Sequence, residues 1–251
     1  MARIAVFDSG IGSLSIIKPI QKKIKSEIIY FADQDNFPYG TKSPSELKKI
    51  IRLTIKKLEE KFEPDLIVMA SNTPSLLLNH KKQSKILGVY PPLNDAAKKT
   101  ITNTIAILAT KSVVESKELR NYIKKQVPAG IKVIKINALP LVDLVESGAF
   151  LTKKKFCKKK INSVLRIIID KQIDVVTLSS THLPFLLPML KKIFPSVVFL
   201  DPADSIANKI AILLNEKKSN TCKLKIFASG DTKTFQKKLR KLGIKNNVQQ
   251  L

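Results

Sequence analysis

Two triplets of small polar residues stand at the ends of apolar runs. Ser71, Asn72 and Thr73 follow DLIVMA, and Ser180, Thr181 and His182 follow DVVTLS. Hydroxyls, an amide and an imidazole in such places can both donate and accept hydrogen bonds, which suits a polar ligand of amino-acid size. Asp8, Ser9 and Gly10 end the first apolar run and lead into GIGS. A strand-to-helix turn of that kind presents backbone N–H groups and a positive dipole end, a seat for a carboxylate. Thr110, Lys111 and Ser112 end IAILA, Asp33 follows IIYFA, and FPYG brings Pro38, Tyr39 and Gly40 together. Glu146 lies in VESG, with Gly148 as a helix stop. Plainer uses compete. Asp8, Thr73, Thr110 and Thr181, taken singly, suit helix capping, and Glu146 suits an ordinary helix end.

Several chemistries are excluded by spacing. Neither Ser71 nor Ser180 sits in a Gly-x-Ser-x-Gly elbow. His182 is two residues from Ser180, and His80, in LNHKKQ, reads as a surface residue. There is no Gly-x-Gly-x-x-Gly turn and no phosphate-binding Walker loop. Cys157 and Cys222 have neither disulfide-framework nor metal-ligand spacing, so no metal is expected.

The elements that must position these groups alternate. RIAVF, EIIYFA, DLIVMA, KILGVY, TIAILAT, KVIKI, DVVTLS, SVVFL and LKIFAS read as buried strands, rich in Val and Ile. Segments of helical period lie between several of them. In SPSELKKIIRLTIKKLEEKF, Ser43 caps, Pro44 fits the first helical position and Glu46 completes a capping box. Leu47, Ile50, Ile51, Leu58 and Phe62 form its apolar stripe. This alternation predicts an α/β fold with mainly parallel sheets and ligands beyond the carboxyl ends of the strands.

An internal echo refines that prediction. DLIVMASNTPSLLL and DVVTLSSTHLPFLL match class by class, with Ser71 opposite Ser180, and IAVFDS matches IAILAT less strongly. Two similar α/β domains follow: residues 1–95, joined by the C-terminal segment 208–251, and residues 96–207. Their echoed strand ends are expected to meet across a central cleft.

Composition bounds the rest. The 251 residues are 44% hydrophobic and carry a formal charge of +25. The lysines are scattered in pairs on the polar faces of helices, and only KKKFCKKK, 153–160, is dense. Without aromatic interleaving or a recognisable module, a nucleic-acid partner is disfavoured, while a positive field favours an anionic small substrate. No membrane span is expected. The N-terminal run reads as a first strand rather than a signal peptide, and the protein as cytoplasmic.

Five motifs in order then resemble the glutamate racemases of the aspartate/glutamate racemase superfamily. They are IAVFDSGIGSLSII, YFADQDNFPYGTKS, IVMASNTPS, LVDLVESG and TLSSTHLP. His182 resembles the glutamate branch, since aspartate racemases usually carry Glu there. The resemblance implies two pseudo-symmetric α/β domains, no cofactor, glutamate as the small-molecule substrate, and supply of D-glutamate for peptidoglycan. A homodimer is compatible with it. It also implies two bases on opposite faces of the α-carbon, at 71 and 180. Asp8 would assist the first, and Glu146 and His182 the second. Ser9, Pro38, Tyr39, Gly40, Asn72, Thr73, Thr110 and Thr181, with Asp8 and His182, would bind substrate.

One departure matters. The family carries cysteine at both base positions, and this chain carries Ser71 and Ser180. A thiol titrates near ~8.5, whereas a serine hydroxyl is a far weaker acid. Ser179 also replaces a glycine and could narrow the pocket. Three readings stay open at this point: an inactivated Cys→Ser form of a racemase, a natural pseudoenzyme that binds an acidic amino acid, or an enzyme for a more acidic carbon acid.

Overall fold

Parallel strands buried on both faces read as continuous apolar runs, and those runs build two sheets here. The computed structural model describes residues 1–78, 85–214 and 220–251; His80 lies outside them. Ten strands form in order: β1 (Arg3–Asp8), β2 (Glu27–Ala32), β3 (Leu66–Met69), β4 (Ile86–Gly88), β5 (Thr104–Ala109), β6 (Lys132–Asn137), β7 (Val175–Leu178), β8 (Val198–Leu200), β9 (Lys223–Ala228) and β10 (Val248–Gln250). Among the described residues every pairing is parallel. The chain divides into two units, Met1–Val89 with Ala203–Leu251, and Tyr90–Pro202.

The first unit holds a six-stranded sheet in the order β10-β9-β2-β1-β3-β4. One face carries Ala5, Phe7, Ile29, Phe31, Ile67, Met69 and Phe227. Leu47, Ile51, Ile55 and Leu58 of the helix Pro44–Phe62 pack against it, with Ile50 and Phe62 at the margin. That helix begins as its sequence prescribes, with the Glu46 N–H donating to Ser43 Oγ at 3.3 Å. On the other side of the unit, helix Leu14–Lys23 packs against helix Ala203–Leu213, whose Ile206, Ala207 and Ile210 are buried. This returning helix is what carries the C-terminal strands back to the first sheet.

The second unit has a four-stranded sheet in the order β6-β5-β7-β8. Its order repeats that of β2-β1-β3-β4. The registers repeat as well: Ile4 pairs with Leu66, and Ile105 with Val175. The first residue after each third strand is fixed alike, by Ala70 N–H donating to Phe7 O and Ser179 N–H donating to Leu108 O, both at 2.9 Å. The internal echo is therefore a repeat of hydrogen-bonded topology.

An aspartate at the foot of each echoed strand sets that register. Asp65 Oδ2 accepts from the Arg3 N–H at 2.8 Å. Asp174 accepts from Thr100 Oγ1 at 2.6 Å, from the N–H groups of Ile101 and Thr102, and from Thr102 Oγ1 at 3.0 Å. Burial pushes the Asp174 carboxyl up, but these hydrogen bonds, led by Thr100, outweigh it and hold the group below the usual range. A carboxyl lowered in the folded state stabilises above its unfolded pKa, and the contribution is lost as pH falls through the folded value. Asp174→Ala is therefore expected to cost roughly 1.5–3 kcal/mol near neutral pH. The cost should shrink below about pH 4, the ordinary aspartate range. Urea unfolding of both proteins at pH 7 and pH 3 measures it, and an equal cost at both would refute the assignment.

Candidate active site

In each unit the chain leaves the first strand for one neighbour and returns on the other side. The reversal leaves a gap at the carboxyl ends of β1 and β3, and of β5 and β7, where α/β sheets bind ligands. Asp8, Ser9 and Ser71 emerge at the first gap, and Thr110 and Ser180 at the second. Ser71 begins the step from β3 into the helix Asn72–Leu77. Ser180 begins the step from β7 into the helical turn Leu183–Leu186. The two serines are exposed to the same degree, 8%. Among the described residues, no hydrogen bond holds either hydroxyl.

Around Ser71, Asp8, Ser9, Asn72 and Thr73 are all buried. Asp8 Oδ1 accepts from the Ser9 N–H at 2.7 Å. Asn72 is 3% exposed, and both atoms of its amide lack a hydrogen-bond partner among the described residues. A buried amide left unsatisfied costs about 1–3 kcal/mol, so its presence at a strand end points to a ligand that completes it.

The segment with Pro38, Tyr39 and Gly40 is held over this end by Asp33. The Tyr39 hydroxyl donates to Asp33 Oδ2 at 2.9 Å, and Asn36 Nδ2 donates to both carboxylate oxygens. Ser229 Oγ donates to Asp33 Oδ1 at 3.2 Å, and Thr54 Oγ1 lies at 3.4 Å from Oδ2. Burial, then the Asp33 charge, pushes the Tyr39 phenol well above its usual value, so it stays a neutral donor. With its hydroxyl committed to Asp33, Tyr39 offers its backbone to the strand end: its N–H points at Ser9 Oγ, 3.4 Å away. Gln34 Nε2 also donates to Ser9 O at 2.6 Å.

Gln34, Thr54 and Ser229 did not emerge from the sequence as site residues. The one signal was the likeness of FASGD after β9 to FADQD after β2. Gly230, at φ +70°, closes that arrangement, since a Cβ there would meet Asp35 Oδ1 at 2.7 Å. A depression of about 700 Å³ in this unit is lined by Asp33, Thr54, Lys57 and Ser229 among others, but by neither Asp8 nor Ser71.

The second unit supplies a different partner to its serine. His182 Nε2 lies 2.9 Å from Glu146 Oε1, and both side chains are about nine-tenths buried. Glu146 is the last residue of helix Leu139–Glu146, turned inward to the imidazole. In the tautomer protonated at Nε2, that nitrogen donates to the carboxylate. Thr181 is buried, and Thr110 Oγ1 lies 3.2 Å from Ser112 Oγ. Ser179 does not project with Ser180. Strand alternation turns it to the other face, where its hydroxyl lies 3.0 Å from Thr177 Oγ1. Among the described residues, no group of three or more His, Cys, Asp or Glu side chains is placed to hold a metal ion. Cys157 is buried and Cys222 exposed, and both are free thiols.

Comparison with known proteins gives one answer at three levels. Residues 7–210 match the family model for Asp/Glu/Hydantoin racemases. A glutamate racemase of Trichodesmium erythraeum is 32% identical over 260 residues, covering 98% of this chain and 94% of that protein. The fold resembles that of a glutamate racemase isoform of Bacillus anthracis, with a TM-score of 0.85, 24% identity, and coverage of 100% and 97% of the two chains. It also resembles Escherichia coli glutamate racemase in complex with L-glutamate, with a TM-score of 0.82, 24% identity, and coverage of 100% and 98%.

The orphaned amide gives a direct test of the first strand end. Asn72→Leu, close in volume and without polar atoms, is expected to raise the unfolding free energy of the ligand-free protein by about 1 kcal/mol or more. Urea denaturation reads the change. A loss of stability would mean that the amide is already satisfied.

Proposed function

The chain belongs to the Asp/Glu/Hydantoin racemase family, and from that premise we propose that it is a glutamate racemase-like protein whose two strand-end serines take the places of the two bases. One observation carries this reading. Ser71 and Ser180 occupy the same position in two repeated sheets, equally buried and with neither hydroxyl held among the described residues. Racemisation without a cofactor needs that duplication. One base removes the α-proton, the electron pair left on carbon delocalises into the carboxylate, and a second group returns a proton from the opposite face. The reading requires both serine hydroxyls to reach one α-carbon.

The substrate follows from the groups at the strand ends. Asn72, Thr73, Ser9 and Thr181 bring uncharged donors and acceptors, and the turn after Gly10 brings backbone N–H groups. Together they suit the two carboxylates and the ammonium of glutamate. In this reading Asp8 would assist position 71, and the Glu146–His182 pair position 180. The relatives' names and the L-glutamate complex of the Escherichia coli enzyme support the same substrate. Cytoplasmic D-glutamate supply for peptidoglycan is the role this activity would serve.

Serine changes the chemistry, not the binding. A thiol is readily brought to its thiolate at neutral pH, whereas a serine alkoxide needs a strong adjacent base. The α-proton of an amino acid is itself very weakly acidic. The chain as written should therefore bind glutamate, the D-form at least as well as the L-form, and racemise it little or not at all. The serines equally favour a second reading, a protein that binds an acidic amino acid and performs no turnover.

Restoring cysteine separates the two. Ser71→Cys or Ser180→Cys alone should give at most exchange of the α-proton of one enantiomer. The double variant should racemise, with each restored base contributing roughly 10²–10⁴-fold. Circular dichroism of L-glutamate and NMR of α-proton exchange in D₂O follow the chemistry, and calorimetry with both enantiomers follows binding. A double variant that folds and binds glutamate but stays inert would favour the binding-only reading. Ordinary turnover by the serine form would overturn the acid–base argument.

A further inference from the structure

The densest charge on the chain lies in the second unit and includes none of the candidate site residues. Helix Lys154–Leu165 follows a short helix, Ala149–Thr152. Its buried side is apolar, with Cys157, Ile161 and Leu165 against the unit. Lys153, Lys154, Lys155, Lys158, Lys159 and Lys160 are all exposed. Among the described residues, none of these six makes an ion pair. By contrast, Lys56, Lys111 and Arg166 each meet an acidic residue one turn away on their own helices. Six ammonium groups held within about 12 Å of helix repel one another unless an anion is near.

The cluster also exposes apolar surface. Phe156 is 55% exposed and Leu151 37%. On the helix, Phe156 projects opposite the buried Cys157–Ile161–Leu165 side, with Lys159 and Lys160 three and four residues on. Thr152, Lys153, Lys154, Lys155 and Phe156 enclose a surface depression of about 580 Å³. An aromatic ring ringed by lysines, on a helix whose opposite side is packed, matches the pattern of an interfacial helix. There the ring enters the acyl boundary and the lysine stems lie along it with their charges at the headgroups.

We propose that this helix is a docking surface for an anionic lipid bilayer, with Phe156 as the inserted side chain and Lys153–Lys155 and Lys158–Lys160 as the headgroup contacts. Two features favour a lipid surface over a nucleic acid. Phe156 and Leu151 gain from leaving water for an acyl boundary, whereas Leu151 has no counterpart in stacking on bases. All six cations are lysines, point charges without the bidentate fork that reads phosphates and guanines in fixed geometry. A fluid headgroup layer needs only point charges, and a cluster of four to eight of them is the usual number for an anionic leaflet.

Vesicle sedimentation with the full chain tests this. The protein is expected to bind vesicles of phosphatidylcholine with about 30% phosphatidylglycerol and to bind pure phosphatidylcholine vesicles at least tenfold more weakly. Each lysine near the surface corresponds to about a fivefold effect. Lys155→Glu with Lys159→Glu should therefore weaken binding more than twentyfold, and Phe156→Ser severalfold. Raising salt should weaken it further. Circular dichroism and the thermal midpoint of each variant confirm that the fold is kept, since all three side chains are exposed. Absence of vesicle binding, binding indifferent to lipid charge, or variants that bind like the parent would each overturn the proposal. So would a short DNA duplex that binds more tightly than the anionic vesicles and displaces them.

Discussion

The pairing of β3 on β1, and of β7 on β5, decides which side chains reach the strand ends. In a parallel pair the side chains alternate between faces, so a slip of one residue sends every group to the wrong side. A slip of one residue in β7 would bring Ser179 to the place of Ser180 and carry the latter to the other face. Asp65 and Asp174 guard against this at the opposite end of the strands, by tying the start of the neighbouring strand to a fixed carboxylate. The site is thus specified by groups a full strand length away from it. That distance explains why an aspartate opens both copies of the echoed motif.

Buried charge is handled differently at the two serines. In the first unit, Asp33 is surrounded by four donors from three stretches: Asn36 and Tyr39 nearby, Thr54 from the long helix and Ser229 just after β9. An ionised carboxylate in such a place is tolerable only when its lone pairs are met. The result is rigid, and it closes the first unit around residues from both ends of the chain. In the second unit, an imidazole–carboxylate contact between His182 and Glu146 does the corresponding work. The first arrangement fixes backbone; the second can also carry a proton. If the two ends serve one reaction, their chemistry is asymmetric even though their topology is repeated.

Much of this was legible in the sequence, for physical reasons that vary by element. Nine strands stood out because burial on both faces demands unbroken apolar runs. The long helix was marked by Ser43, Pro44 and its stripe. β10 was not legible: VQQ is short and polar, and it pairs with one neighbour only. Ser71, Ser180, Asp8, Glu146 and His182 were picked out as candidates through motif and echo. The Asp33 cluster was missed because its donors lie 3, 6, 21 and 196 residues away, so no local pattern records it. The direction of Ser179 was also missed. Its replacement of the family's glycine suggested a narrowed pocket, whereas strand alternation points the hydroxyl to Thr177.

The net charge of +25 acts on a different scale from the site. At physiological ionic strength, exposed charges are screened over about 8 Å. A surface rich in lysine can raise the local concentration of an anionic ligand and quicken its arrival, but it gives little selectivity among anions. Selection must come from groups removed from water, where an unmet polar atom is costly and a met one is not. At the first strand end the polar groups removed from water are the Asn72 amide and its buried neighbours. Lysines on an outward helix face answer to a different requirement, the company of other charges at the surface. The sequence carries both kinds of information, and only burial tells them apart.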